Sequence, residues 1–528
     1  MKILTAIGAL LIAATSYSAQ ILMEKVGHFQ GAPIGAGGPI DIVDFYNNTL
    51  FVANGTNTDI QKPSLDIVKV DGLKNKEKEF NLSKRVDIQK FIGTTEEVSD
   101  LTCIKVSPNG KFLALSVALN PTAENGYIVI TSLEGDYIAH YKVGALPDNL
   151  AITPDSLKVI VANEGEPGKG LKVDPEGSIS ILDLSKGLDK GRVIEVKIDE
   201  TLIKGELKAN LDEYVKAAPH KPTYSQALEP EYITIDEAGK FAYVSFQEDS
   251  AIGKIDIEAG KFVWIESMGV KDHSKPENSF AIGKNSPNLV TANVFGMYQP
   301  DGIKVFNQNN STYLITANEG DARDYGKGLF VEDDSTIGKL LEAGKKINVP
   351  VTEDMKNLKI SKFRGLNEKG EYDKLYSFGA RSFSIFKVED GGVKLVFDSG
   401  NQLEEITKKY LPQYFNSSNT NIKPYSRNNS KGPEPEDVEI GTIDGRTFAF
   451  VGLERIGGVV TFDITDATKP EFAGFFSGRD YSEDVKGDVG IEGLKFVASE
   501  KSPTGKPLLI SSNEISNSIA IYELKVSK

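Results

Sequence analysis

LPDNLAITPDSLKVIVANEGEPG, residues 146 to 168, followed by GSISILDL at 177 to 184, decides the fold. It reads as a short strand, a Pro-Asp turn, a second strand of β-branched residues, an Asn-Glu loop and a third strand. The same grammar returns in LEPEYITIDEAGKFAYVSFQEDSAIGKIDI (228–257), QPDGIKVFNQNNSTYLITANEGDARDY (299–325), PEPEDVEIGTIDGRTFAFVGLERIGGVVTFDI (433–464) and GIEGLKFVASEKSPTGKPLLISSNEISNSIAIYEL (490–524). Two looser copies stand upstream, GGPIDIVDFYNNTLFVANGTNTDI (37–60) and VSDLTCIKVSPNGKFLALSVALN (98–120). Internal repeats of this kind signal a repeat architecture. Three- or four-stranded antiparallel meanders are the blades of a propeller, so the expectation is an all-β, seven-bladed β-propeller with helical and loop insertions.

Blades of this kind run ~40 to 50 residues, so seven of them in 528 residues leave room for large excursions. Three stand out, at about 199–228, 333–376 and 401–431, the first helix-like and the last ending in a polar loop. The expected organisation is a single propeller domain over 20–528. The alternative is two packed β domains split near residue 220.

The first twenty residues, MKILTAIGALLIAATSYSAQ, have a basic start, an apolar run and small residues before Ala19, the pattern of a signal peptide covering 1–19. Export to the periplasm or the outside follows, and no later apolar stretch is long enough to span a bilayer or anchor the C-terminus. Cys103 is the single cysteine, so no intramolecular disulfide is expected, and its strand position suggests a small buried apolar residue. The formal charge of -15 argues against a nucleic-acid partner and makes cations the natural ligands. A monomer is expected.

In an antiparallel hairpin, the start of the first strand and the end of the second share a rim. Acids occupy both positions in five units: Asp148 with Glu164, Glu231 with Glu248, Asp301 with Glu319, Glu436 with Glu454, and Glu492 with Glu514. In a propeller these rims converge on the channel mouth, where crowded carboxylates require protonation, arginine neighbours or a bound cation. Carboxylate and amide oxygens are the hard donor set of calcium, with manganese, magnesium or iron as alternatives. The best-equipped loop is NEGDARDY (318–325), where Glu319 and Asp321 would bind the cation and Gly320 would let the chain turn and offer its carbonyl. Arg323 would pair with Asp321 or face an anionic ligand; Arg381 and Arg455 are the other candidates for an oxyanion contact. The four histidines are scattered, and no HExxH, GxSxG or Walker pattern occurs.

With LPDNLAITPDSLKVIVANEGEPG, GMYQPDGI, TANEGDARDY, FGARSFSIF and KGPEPEDVEI in view, the chain resembles the choice-of-anchor I domain family from about residue 25 onward. That resemblance implies a YVTN- or WD40-like propeller. The family includes bacterial exported proteins, some labelled alkaline phosphatases, and animal mesenchyme cell-surface glycoproteins associated with biomineralisation. Two readings therefore stand side by side: an exported cation-binding scaffold with an anionic or phosphate-bearing ligand, and a metal-dependent phosphoesterase. Relatives usually carry an aspartate-rich loop before KGPEPE and aspartates after VKDHS, whereas this chain has FNSSNTNIKPYSRNNS and KPENSFAIGKNSP. A calcium site built on those loops would be altered here.

Overall fold

The computed structural model describes residues 19–31, 40–55, 62–168, 172–323 and 333–527, so the expected signal peptide lies almost wholly outside the described residues. The chain is all-β, with its longer helices in the excursions. Among the described residues, seven sheets have four or more strands, and each begins as an antiparallel meander. Their first strands are Ile40–Tyr46, Glu97–Val106, Pro147–Ile152, Pro230–Ile235, Ile303–Gln308, Pro435–Ile443 and Ile491–Val497. Each first strand packs against the first strand of the next sheet, and the last packs against the first, which makes a ring.

The ends of the described chain meet in one sheet. Gln20–Gln30 runs antiparallel to Ser518–Ser527, from Gln20 opposite Ser527 to Gln30 opposite Ser518. The sheet that starts at Ile491 is thus completed by the N-terminal strand, a long-range pairing that holds the ring shut.

Apolar clusters lie between neighbouring sheets. One runs from Ile160 through Ile181 and Leu211 to Ile265, crossing the position near residue 220 where a split into two domains was the alternative. Phe383 and Phe462, from adjacent sheets, approach to 4.7 Å between ring centroids, a contact worth about 0.5–1.5 kcal/mol beyond burial. Second strands such as Lys158–Asn163 are buried almost throughout, because they have a neighbouring sheet on both faces. Cys103 is fully buried among these apolar residues, as its strand position suggested.

The excursions cover the rim. The first carries helices Gly205–Ala217 and Tyr224–Ala227. The second holds helix Ile337–Glu342 and the hairpin Asp334–Thr336 with Lys359–Ser361. A further excursion, not expected from the sequence, spans 270–297; its strand Phe295–Met297 pairs with Val270–Asp272 and with Tyr376–Ser377. Phe280, Val294, Leu340, Met355 and Tyr372 join the two into a satellite core. The third excursion carries Gln402–Tyr410 and then a polar loop in which Asn416, Ser417, Asn419 and Asn428 are buried.

Candidate functional site: an acidic cavity at the ring mouth

Five of the first strands share a local defect that aims their acids, whereas Ile303–Gln308 pairs in unbroken register and Asp301 precedes it. Pro147 pairs with Asn163, but the next partners are Leu150 and Val161, so two residues on one strand oppose one on the other. The same bulge recurs between Pro230 and Ile233, Ile40 and Val43, Pro435 and Val438, and, as a single extra residue, Ile491 and Gly493. A bulge adds a residue to one strand and redirects its side chain. The residues inside these bulges include Asp41, Asp148, Glu231, Glu436 and Glu492.

The second strands end at the same rim, and the residue after each closes it. Glu164, Glu319, Glu454 and Glu514 directly follow Asn163, Asn318, Leu453 and Asn513. The strand ends are themselves fixed: Asn163 Nδ2 donates to Ser178 and Ser180 hydroxyls of the third strand, and Asn318 Nδ2 to those of Ser382 and Ser384.

The outcome is one cavity of about 310 Å³ lined by Asp148, Glu164, Glu231, Asp301, Glu319, Asp321, Glu436, Glu454, Glu492 and Glu514, together with Gln247 and Arg455. Ten of the eleven acids singled out from the sequence meet there. Glu248 does not line it, and register explains why. The strand Phe241–Phe246 ends at Phe246 opposite Pro230, so Gln247 takes the rim position, donating to Glu319 Oε2 at 2.9 Å. Glu248 sits one residue further on, close enough for its charge to act on Glu231 and Glu164.

Sequence reasoning missed Asp41 and Asp100, which hold the equivalent place in the two looser units. Their rims close with Gly55 and with the Asn120-Pro121 step rather than with an acid, so the paired signal was absent. Gly55 is itself part of this crowding: a Cβ there would lie 2.0 Å from Asp41 Oδ2 and 2.7 Å from Asp100 Oδ1.

Burial is the largest influence on these carboxyls, and mutual repulsion adds to it. Glu164, Glu231, Glu436, Glu492 and Asp41 are pushed well above the ordinary range. Asp148, Glu248 and Glu454 rise to about 8, Glu319 to about 7 and Asp301 to about 6. Glu434 goes the other way, to about 2, because Lys431, Arg427 and Arg455 outweigh its burial. Groups with raised values hold more protons folded than unfolded, so their contribution is full in acid and is lost as pH climbs towards about 8. Metal-free protein is therefore expected to lose stability as pH rises from roughly 5 to 8, in urea midpoints measured with chelator present. Glu434 does not oppose this trend, since its contribution fades only in strong acid. A midpoint that rises over the same window would contradict the reading of the cavity as strained by charge.

Two sets of ligand atoms lie within 4.8 Å of one another: Asp301, Glu319 and Glu436, and Glu319, Glu434 and Glu454. Glu436 is 6% exposed, and its Oε2 has no hydrogen-bond partner. A buried carboxylate oxygen left unpaired is costly unless it meets a proton or a cation. Gly320 makes the turn after Glu319 at φ +88, and a Cβ there would stand 2.1 Å from the Gly379 nitrogen and 2.3 Å from its Cα. Gly320→Ala is expected to cost well over ~1 kcal/mol in denaturant unfolding, since neither backbone can give way.

The arginines divide. Arg455 lies at the mouth, its Nε donating to Glu434 Oε2 and its Nη1 pairing with Glu454 Oε1, both at 2.8 Å. Arg323 is 7% exposed, pairs with Asp249 at 2.7 Å and stacks over Tyr214, and Asp321 faces Lys431 at 3.7 Å. Arg381 lies away from the mouth. Its guanidinium donates to the carbonyls of Ala281, Asn428 and Ser430 and pairs with Glu404 at 3.0 Å. The two aspartate-poor loops are those that supply these carbonyls, so an arginine holds them together here. Lys431, from KGPEPE, was not singled out from the sequence, yet its ammonium contacts Glu319 Oε1 and stands 3.3 Å from Glu434 Oε2.

A family profile described as the choice-of-anchor I domain matches residues 44–467. The chain belongs to the choice-of-anchor I domain family. Among similar family relatives, gigasin-3a of Magallana gigas is 30% identical over 183 residues, 32% of this chain and 64% of the relative. The mesenchyme-specific cell surface glycoprotein of Strongylocentrotus purpuratus is 27% identical over 288 residues, 47% of this chain and 36% of the relative. The matched stretches thus cover less than two thirds of either protein. Among solved structures, the WD40 domain of Toxoplasma gondii coronin aligns over 96% of this chain and 87% of its own at 8% identity and a TM-score of 0.48. Among the described residues no helix is long and apolar enough to cross a membrane.

Proposed function

We propose that this choice-of-anchor I chain is a seven-bladed β-propeller that works outside the cytoplasm, secreted or at a surface, and that its acidic mouth holds a divalent cation, calcium first among the candidates. The seven-meander ring supports the propeller reading. The cell-surface description of the Strongylocentrotus purpuratus relative supports the location. The observation that carries the cation reading is the convergence of ten carboxylates on one cavity, four of them placed by a bulge repeated from sheet to sheet. An all-oxygen donor set of this kind suits calcium, magnesium or manganese. In this reading the cation organises the mouth and binds an acidic or phosphate-bearing ligand.

A second reading, metal-dependent phosphoester hydrolysis, is favoured by one feature. A cavity of about 160 Å³ beside the acidic one is lined by Lys359, Arg427, Lys431 and Arg455, and shares Arg455 and Asp321 with it. A bound cation could polarise a phosphoryl oxygen while Arg455, with its planar fork, met the charge on the other side. Among the described residues no side chains pair as nucleophile and base at the mouth, so the binding reading is preferred. The test is an aryl-phosphate assay on the purified protein with calcium, manganese or iron added, up to alkaline pH. The binding reading expects no turnover with any of them. Metal-dependent turnover that disappears in Arg455→Ala would replace it with the enzymatic one.

A further inference from the structure

Glu319 belongs to two carboxylate cages at once, and the cages differ in what already fills them. In the one made with Glu434 and Glu454, Lys431 contacts Glu319 Oε1 and lies 3.3 Å from Glu434 Oε2. Arg455 pairs with both Glu434 and Glu454, and Arg427 holds Glu434 Oε1. Asn419 Nδ2 adds a bond to Glu454 Oε1 at 2.7 Å. Every acid of this cage therefore faces a fixed positive charge supplied by the chain.

The cage made with Asp301 and Glu436 has no such supply. Among the described residues no lysine or arginine forms an ion pair with either acid; Lys431, whose charge reaches Asp301, is turned to Glu319, Glu434 and Asp321, and the Asp301 carboxyl is hydrogen-bonded only to that of Glu436 across the cage. Glu436 Oε2 is the unpartnered, buried oxygen noted above. Backbone geometry favours the same place: Gly302 N donates to the Glu436 carbonyl at 3.0 Å, which locks the loop bearing Asp301 against the strand bearing Glu436.

We propose that the mouth holds one divalent cation, in the Asp301, Glu319 and Glu436 cage, and that the Lys431 ammonium is a resident substitute for a second cation in the Glu319, Glu434 and Glu454 cage. This rests on the cation reading of the mouth and adds which carboxylates do the binding and what limits the count. A lysine ammonium is a compact point charge on a flexible stem, suited to standing where a small ion would otherwise sit. Tethered to the chain, it neutralises the second cage without depending on the ion concentration outside. By holding Glu319 Oε1, it also leaves that residue's other oxygen, steadied by Gln247, as the one available to the first cage.

The test is calorimetric titration of calcium, and separately manganese, into the chelator-stripped full chain. The wild type is expected to bind one ion. Glu436→Gln is expected to weaken binding at least tenfold more than Glu454→Gln does, about 1.4 kcal/mol of difference between the two cages. Lys431→Met is expected to bind two ions, and Lys431→Arg, which keeps the charge, one. If Lys431→Met does not fold, the Glu436 and Glu454 pair of variants, with Lys431 intact, decides the location alone. Equal losses in Glu436→Gln and Glu454→Gln, two ions in the wild type, or one ion in folded Lys431→Met would each overturn the proposal. A wild type that binds no ion at all is a different outcome, since it removes the cation reading itself.

Discussion

Replacing Arg381 by alanine is expected to destabilise the folded chain by about 3–5 kcal/mol, the largest effect of any single substitution argued from this structure. Arg381 and Glu404 are both almost fully buried and pair at 3.0 Å. Removing the guanidinium leaves Glu404 with neutral partners, chiefly Asn416 Nδ2 at 2.8 Å. It also strips hydrogen bonds from the carbonyls of Ala281, Asn428 and Ser430, which belong to two different excursions. The loss should appear as a lower urea midpoint with little change in slope, because the exposed surface on unfolding is unaltered. Lysine would restore the charge but not the fork, and is expected to recover less than half of the loss. A midpoint within ~0.5 kcal/mol of the wild type would mean that Arg381 is a surface-like residue, against its burial and four partners.

The second large effect is the response to metal. A ligand that binds only the folded state at 100 times its Kd stabilises it by about 2.7 kcal/mol. Calcium added to chelator-stripped protein should therefore raise the melting temperature by several degrees. The gain should be larger at pH 8 than at pH 5, because the ion replaces protons that the buried acids otherwise retain when Glu319 and Glu454 titrate near 7 and 8. Glu319→Gln removes a carboxylate common to both cages and should abolish most of the gain. It also leaves Lys431 with one close partner fewer, so the metal-free variant is the right baseline for its own titration. A solvated loop acid would change stability by less than ~0.5 kcal/mol and would show no dependence on metal.

Much of this site could be read from residues 146–168 and their copies, because two positions in each unit carry acids in the same phase and the strand pattern puts both on one rim. What could not be read was set by register and by partners distant in sequence. Gln247 and Glu248 are neighbours, and only the pairing of Phe246 with Pro230 decides which of them closes the rim. Asp41 and Asp100 keep the phase of the first acid but lack the second, so half of the signal was gone. Arg323 sits in a loop rich in acids, yet it also pairs with Asp249, brought in from another sheet. Lys431 precedes a proline-rich turn and looks like a solvent residue until the fold places Glu319, more than a hundred residues away in the chain, against its ammonium. The 270–297 excursion escaped notice because its strands are two or three residues long, too short for an alternating pattern.

The most direct test of the central claim is elemental analysis joined to a calcium titration of the wild-type chain and of Asp301→Asn with Glu436→Gln. Saturable binding of one divalent ion in the wild type, lost in the double variant while its fold persists, is the expected result. No saturable ion in the wild type, with identical melting curves in calcium and in chelator, would contradict it and leave the ten carboxylates as a rim with no metal to hold.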